Sequence, residues 1–336
     1  ISEMVMRGGL AFSSWDRLGN PAVYFDPLCD EDYWLALRRG EWGSSLHRVA
    51  PSEQHASTGW IPDRSSLDAL EAFPTLHRPA EYDETIALFG DSYFFGTTPS
   101  GTRISDSLQG LRPKSRILNF GVGGYGLGQI LLRLEDRMTV LDPGSWVIIG
   151  VLTTDIDRAI LQVRDAPKPW FSLTEAGGLS AHFPAQDPVT QWFKEHPVSA
   201  NSLLWRRLIR TVQLYKSRGS EATMPACAVA EKKALSQAIF SRVSAVCQAG
   251  GLKCVVMGLY RPIDLKQGAG WRAEAIQSAQ QYGLALIDTA PKMRASSTGW
   301  AELYGADDHP NPSGNRRMAS WIDQELNVYG RVGTPK

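Results

Sequence analysis

Three short stretches of this chain hold side chains able to do covalent chemistry together. The first is LFGDSYFFG, residues 88–96, an apolar run that ends in Gly90-Asp91-Ser92. A serine hydroxyl becomes a nucleophile when a base takes its proton and donors await the oxyanion it generates. A serine at a strand-to-helix turn meets the second need, because N–H groups of the helix start lie beside it. GADDHPNPSGN, residues 305–315, offers a base in His309. Asp307 stands two residues before it. In an extended segment such residues point the same way, so this carboxylate can orient the imidazole and stabilise its charged form. Asp308 alternates to the opposite side. Between these stretches lies NFGVGGYGLGQ, residues 119–129, whose five glycines permit positive φ and close backbone approach to a ligand. Singly, each has an ordinary explanation: Gly-Asp-Ser is common turn chemistry, and a histidine in a polar loop is usually just solvated.

The elements that must position these residues are legible from periodicity. TIALFGDS, SRILNFGV, SWVIIGVL, LKCVVMGLY and LALIDTA are short, β-branched and bounded by turns, as buried strands are. Between them run stretches of helical spacing. Leu127, Ile130, Leu131 and Leu134 form one apolar face, and EKKALSQAIFSRVSAVCQAG forms a long helix that stops at Gly250-Gly251. The alternation from about residue 84 to 330 predicts a doubly wound α/β domain with a parallel sheet, which binds ligands outside the carboxyl ends of its strands. Residues 1–83, rich in Trp, Pro and Gly, show no clear period and read as an irregular extension packed on that domain. A segment from about 160 to 200 interrupts the alternation after the third strand, and Gly177-Gly178 within it suggests a hairpin overhanging the ligand crevice. The Gly-rich loop is not a dinucleotide fingerprint: Gly121-Val122-Gly123-Gly124-Tyr125-Gly126 lacks the final spacing and follows the wrong strand, and Asp155 is too distant for the ribose acid.

Composition excludes several function classes. Lys plus Arg number 35 and Asp plus Glu 35, so no net field recruits nucleic acid or an anionic membrane. No run of about 18 apolar residues is present to span a bilayer. The four cysteines, Cys29, Cys227, Cys247 and Cys254, lack metal-type spacing such as C-x-x-C. Cys247 and Cys254 flank the Gly-Gly turn and read as buried apolar cysteines, whereas Cys29 and Cys227 fall in loop-like sequence and can pair in an oxidising compartment. The chain opens ISEMVMRGGL, without a starting Met, which raises the expectation of an upstream export signal or anchor.

In combination and in this order, the three stretches resemble the SGNH (GDSL) hydrolase superfamily over residues from about 55 to 328. The resemblance implies a three-layer α/β/α, flavodoxin-like sandwich with a five-stranded parallel sheet, and a serine esterase needing no cofactor. It assigns Ser92 as nucleophile, His309 as base and Asp307 as its partner, with the N–H groups of Ser92 and Gly124 in the oxyanion hole. Two departures stand out. Asn normally follows the third strand as a side-chain oxyanion donor, and here Gly150 is followed by VLTTD, which puts Thr154 in that place; either Thr154 or Thr153 substitutes, another group supplies the bond, or the enzyme is slow. The commoner acid position, three residues before the histidine, is Ala306. TTDIDR followed by APKPWFSLTEAGGL further resembles a bacterial branch associated with envelope and exopolysaccharide biosynthesis, with a cap after the third strand. That branch implies a periplasmic, cell-envelope or extracellular location. It also implies that Asp157 and Arg158 stabilise the cap or touch substrate, against the plainer reading of an ion pair with no catalytic role, and that Trp170 and Phe171 overhang the site as sugar-stacking surfaces. Asp91, Tyr93, Tyr125, Asp155, Arg158 and Trp170 are the candidate substrate-binding residues. The expected reaction is removal of O-acyl groups, acetyl foremost, from a carbohydrate or related ester. Transfer of an acyl group to a polysaccharide, and glycan binding by a weakly active domain, are the alternatives.

Overall fold

The computed structural model describes residues 52–75, 79–99, 101–164, 166–183, 202–217, 229–296 and 299–332, together with Tyr24, Phe25, Cys29, Tyr33 and Trp34. In chain order its elements are β1 (Ser52–His55), β2 (Gly59–Pro62), β3 (Glu84–Phe89), α1 (Ser92–Phe95), α2 (Ile104–Leu111), β4 (Ser115–Asn119), α3 (Leu127–Arg137), β5 (Trp146–Leu152), α4 (Thr153–Arg158), β6 (Trp170–Leu173), β7 (Leu179–His182), α5 (Leu203–Ser217), α6 (Val229–Ala249), β8 (Lys253–Leu259), α7 (Pro262–Gln267), α8 (Trp271–Gln277), β9 (Ala285–Asp288), α9 (Thr289–Arg294) and α10 (Pro312–Val332).

The five predicted strands form one parallel sheet in the order β4-β3-β5-β8-β9. The central strands β3, β5 and β8 are near-continuous apolar runs because they bury both faces, and successive side chains go to opposite cores. Ala87 and Phe89 join Leu118, Val147, Ile149 and Val256 in one core beneath α3, α6 and α8. Ile86 and Leu88 join Ile117, Ile148, Val255 and Met257 in the other, covered by α2, α9 and α10. The chain leaves β3 for β4 on one side and returns to β5 on the other, so the order reverses beside β3. At such a reversal the adjoining loops diverge and leave a crevice at the carboxyl edge. Ser92, the Gly-rich loop and the Thr153-Thr154 pair all issue from that edge.

Two expectations need correction here. Part of the N-terminal extension is regular: β1 and β2 pair antiparallel. Every residue of β2 is buried, so no polar–apolar alternation marks it in the sequence. Cys247 and Cys254 are bonded to each other, not separate buried thiols; the Gly250-Gly251 turn brings their Cα atoms to 6.2 Å. Cys29 is also disulfide-bonded, while Cys227 lies outside the described residues. The hairpin expected at Gly177-Gly178 is β6–β7. It packs on α3 and α6; Phe171 is buried against Gly128 of α3.

Candidate active site

Ser92 opens α1, a single helical turn separated from the end of β3 by two residues, Gly90 and Asp91. Asp91 caps this turn, its Oδ1 accepting the Tyr93 N–H at 2.9 Å. The turn lies flat against neighbouring backbone, which only glycine permits at the contact: a Cβ on Gly121 would meet the Phe95 nitrogen at 2.5 Å. Asn119, wholly buried, locks the same junction. Its Nδ2 donates to the Phe94 carbonyl at 2.7 Å and its Oδ1 accepts the Gly121 N–H at 3.0 Å. Asn119 is not among the site residues expected from the sequence; a buried amide at a strand end is the signal that marks it.

His309 Nε2 lies 2.9 Å from Ser92 Oγ. On the other side of the ring, Nδ1 lies 3.3 Å from Asp307 Oδ2 and 3.0 Å from the Asp307 carbonyl. These contacts fit the tautomer with its proton on Nδ1, which leaves Nε2 to accept from the serine. The loop is shaped for this. Its base is pinned by the Gly305 N–H donating to the His309 carbonyl at 2.8 Å and by the Asn311 cap on α10. Asp308 has φ 63°, which turns the chain between the two residues, and its carbonyl accepts the Tyr93 hydroxyl at 2.7 Å. The Tyr93 ring also packs 5.5 Å from the His309 ring. Tyr93 is therefore a buried strut under the histidine loop rather than a substrate contact, and its phenol is pushed far up by burial.

The Gly-rich loop is held from the N-terminal side. Trp60 Nε1 donates to the Gly123 carbonyl at 3.1 Å, the Tyr125 hydroxyl donates to the Trp60 carbonyl, and Gln129 Nε2 donates to the Thr58 carbonyl at 2.7 Å. Gly124 takes φ 84°, a conformation that presents its N–H where an L-residue rarely does. The backbone N–H groups of Ser92 and Gly124 donate to no group among the described residues. At the head of α4 the two threonines differ. Thr153 Oγ1 donates to Asp264 Oδ2 at 2.6 Å, whereas the Thr154 hydroxyl is buried with no hydrogen-bond partner.

Beneath Ser92 lies a buried ion cluster. Arg158 Nη1 donates to Asp91 Oδ2 at 3.2 Å, to Asp155 Oδ1 at 2.8 Å and to the Tyr125 carbonyl at 3.0 Å. Asp91 Oδ2 lies 3.3 Å from Ser92 Oγ, a longer, competing acceptor for the one hydroxyl proton, and Asp155 Oδ2 accepts the Leu152 N–H at 2.8 Å. Asp91, Tyr125 and Asp155 are wholly buried, so they cannot touch substrate as expected; they join α1, the Gly loop and α4. Burial, then the charge of Asp91, pushes the Asp155 carboxyl well above its ordinary value, with Arg158 opposing. Asp157 pairs not with Arg158 but with Lys232 at 2.7 Å and Arg272 at 2.6 Å, tying α4 to α6 and α8. Trp170 stacks on His182 across the hairpin, with centroids 4.1 Å apart, and Phe171 belongs to the core. The stacking role expected of Phe171 is thus excluded by burial.

Among the described residues one group has metal-ligand character, His55, Glu71 and Asp136, whose ligand atoms lie within 4.8 Å of one another. Its carboxylates are already bound by Arg133 and Arg137, and Glu71 also by Arg64. Guanidinium groups thus occupy the place of a cation.

A model of the GDSL-like lipase/acylhydrolase family matches residues 88–317. Among solved structures, the lipase/acylhydrolase from Enterococcus faecalis is 15% identical, covering 75% of this chain and 99% of that one with a TM-score of 0.42. TesA is 14% identical over 73% of this chain and 99% of its own, with a TM-score of 0.44. The acetyl xylan esterase AlAXEase is 14% identical over 72% and 99%, with a TM-score of 0.42. No match is found among curated proteins. Because the family model spans well over half of the chain, from the strand that delivers Ser92 to the helix that follows His309, the chain belongs to the GDSL-like lipase/acylhydrolase family of ester hydrolases.

Proposed function

We propose that this protein is a serine esterase that removes O-acyl groups from a carbohydrate or related ester through an acyl-enzyme. The observation that carries the mechanism is the 2.9 Å contact between Ser92 Oγ and His309 Nε2. Ser92 Oγ attacks the ester carbonyl while His309 Nε2 takes its proton. The imidazolium is steadied through Nδ1–H by Asp307. The oxyanion is received by the N–H groups of Ser92 and Gly124 and by the Thr154 hydroxyl, a buried donor without another partner. The tetrahedral intermediate collapses as His309 returns the proton to the leaving alcohol, and water, deprotonated by the same nitrogen, then releases the acid.

Hydrolysis is favoured over transfer by the exposure of the pair that handles the proton: the His309 side chain is 26% exposed and that of Asp307 61%. Water reaches this edge freely, and an acyl-enzyme built for transfer needs a drier site. The open edge also admits the bulky alcohol of a polymer ester. The Cys247–Cys254 bridge and the bonded Cys29 support an oxidising compartment, the periplasm or the exterior of the cell.

A fluorophosphonate probe and p-nitrophenyl acetate test the assignment. The protein should label once and turn over ester, and Ser92→Ala should do neither. Equal labelling and equal rates for the two would overturn it, and release accelerated by added oligosaccharide acceptor would replace hydrolysis with transfer.

A further inference from the structure

Two hydrogen bonds join the turn that carries Ser92 to the loop that carries His309, and only one of them reacts. Ser92 Oγ meets His309 Nε2 at 2.9 Å. One residue along on each side, the Tyr93 hydroxyl donates to the Asp308 carbonyl at 2.7 Å. Among the described residues these two are the hydrogen bonds that tie the segment 305–310 to the rest of the fold. Its others stay inside 303–311: the Gly305 N–H to the His309 carbonyl, the Asp308 N–H to the Gly305 carbonyl, and the contacts between His309 and Asp307. Asp307 therefore orients the imidazole within its own loop, but it does not hold that loop against Ser92.

Acylation removes the reacting bond. Once Ser92 Oγ carries the acyl group it has no proton, and the contact with Nε2 loses its donor. Deacylation still needs His309 in place. Nε2 takes a proton from water as the water oxygen bonds to the acyl carbon, then returns it to Ser92 Oγ as the bond from that carbon to Oγ breaks. Through this stage Tyr93 supplies the hydrogen bond that remains between the turn and the loop. It is built to last through the cycle. Tyr93 is 3% exposed, and its backbone N–H is fixed by Asp91 Oδ1 at 2.9 Å. Burial holds the phenol far above its ordinary range, so the hydroxyl remains a donor wherever ester is turned over. Its acceptor is the backbone carbonyl that leads into His309, so no side-chain rotation can release the loop.

We infer that Tyr93 is a positioning residue for deacylation: its hydroxyl holds the Asp308 carbonyl, and with it His309, beside the acyl group after the Ser92–His309 hydrogen bond has gone. The inference rests on the acyl-enzyme proposed above. Acid-quenched samples of the full chain at saturating p-nitrophenyl acetate, weighed by intact-mass spectrometry, read both steps at once. The ratio of acylated to free chain is the ratio of the acylation rate to the deacylation rate. Tyr93→Phe keeps the ring and removes the hydroxyl. It should raise that ratio about tenfold while kcat/KM, which acylation sets, stays within about threefold of wild type. A chain that merely folds less well does the opposite, because it adds unacylated protein. Tyr304→Phe is the control: it removes a hydrogen bond of the same 2.7 Å length, from the stem of the same loop to the Tyr260 carbonyl, and leaves Asp308 alone. Its ratio should match wild type. The inference is overturned if Tyr93→Phe leaves the ratio unchanged or lowers it, if its kcat/KM falls as far as its kcat, or if Tyr304→Phe raises the ratio equally. A wild-type chain that forms no acyl adduct dependent on Ser92 would instead overturn the esterase reading, and this inference with it.

Discussion

Arg158 reaches across 67 positions of sequence to hold Asp91, its Nη1 3.2 Å from Asp91 Oδ2, and the same nitrogen bonds Asp155 at 2.8 Å. The carboxylate that caps the turn carrying Ser92 and the one that opens α4 thus share one cation. Both acids are wholly buried. Arg158→Ala should therefore cost about 3–5 kcal/mol, because it strands two carboxylates in the interior. Arg158→Lys should recover only part of this, since a point charge cannot also reproduce the donor geometry toward the Tyr125 carbonyl. Urea denaturation measures both, and a loss under about 1 kcal/mol for the alanine variant would show that the cluster is solvated or otherwise compensated.

The same cluster predicts a dependence on pH. The Asp155 carboxyl is raised well above its ordinary 3.8, first by burial and then by the charge of Asp91. A carboxyl raised in the folded state binds its proton more tightly there than in the unfolded chain. Its contribution to stability is complete below 3.8 and is lost as pH rises through the folded value. Above about pH 4 the wild-type chain should thus lose stability that Asp155→Asn does not lose. Denaturation midpoints taken across this range check the sign; parallel profiles for the two proteins would refute it.

Thr153 and Thr154 are adjacent and should behave oppositely. Thr153 is spoken for by Asp264, while the buried Thr154 hydroxyl has no partner. Thr154→Val keeps shape and removes an unsatisfied polar group, so stability should hold or rise by about 1 kcal/mol. If that hydroxyl receives the oxyanion, kcat should fall about 10²–10³-fold. Thr153→Val should instead cost about 1 kcal/mol by removing the shortest hydrogen bond to Asp264 Oδ2, which keeps two from Arg261, with the rate changed far less. A Thr154→Val protein that turns over ester at the normal rate would remove the hydroxyl from the mechanism.

The sheet was readable because its central strands are apolar on both faces and all five are bounded by turns, a pattern that survives without knowledge of its neighbours. The serine, glycine loop and histidine were readable because sheet topology gathers loops that leave one edge. What local sequence could not carry was which charges are buried. Asp91, Asp155 and Arg158 look like crevice residues, since charged groups are mostly exposed; only the fold shows that they neutralise one another beneath Ser92. The β1–β2 clasp was hidden for a similar reason. Trp60 and Ile61 are both buried, so the strand has no amphipathic period, and its contacts with Gly123 and Tyr125 span more than sixty positions.

Asp307 and Asp308 offer the sharpest test of the proton pathway. Asp307 Oδ2 lies 3.3 Å from His309 Nδ1, whereas Asp308 sits at φ 63° and engages Tyr93 through its carbonyl alone. Asp307→Ala removes the charge that favours the imidazolium. Because this carboxylate is 61% exposed and screened by water, the fall in kcat should be about a hundredfold, less than for a buried partner. Asp308→Gly replaces a residue strained in the left-handed region with one that adopts it freely. It should keep kcat within about twofold and raise stability by up to about 1 kcal/mol, since the carbonyl that accepts from Tyr93 is retained. Steady-state rates with thermal unfolding of both variants decide the matter: if Asp308→Gly slows the enzyme while Asp307→Ala does not, the imidazole takes its support from the other acid.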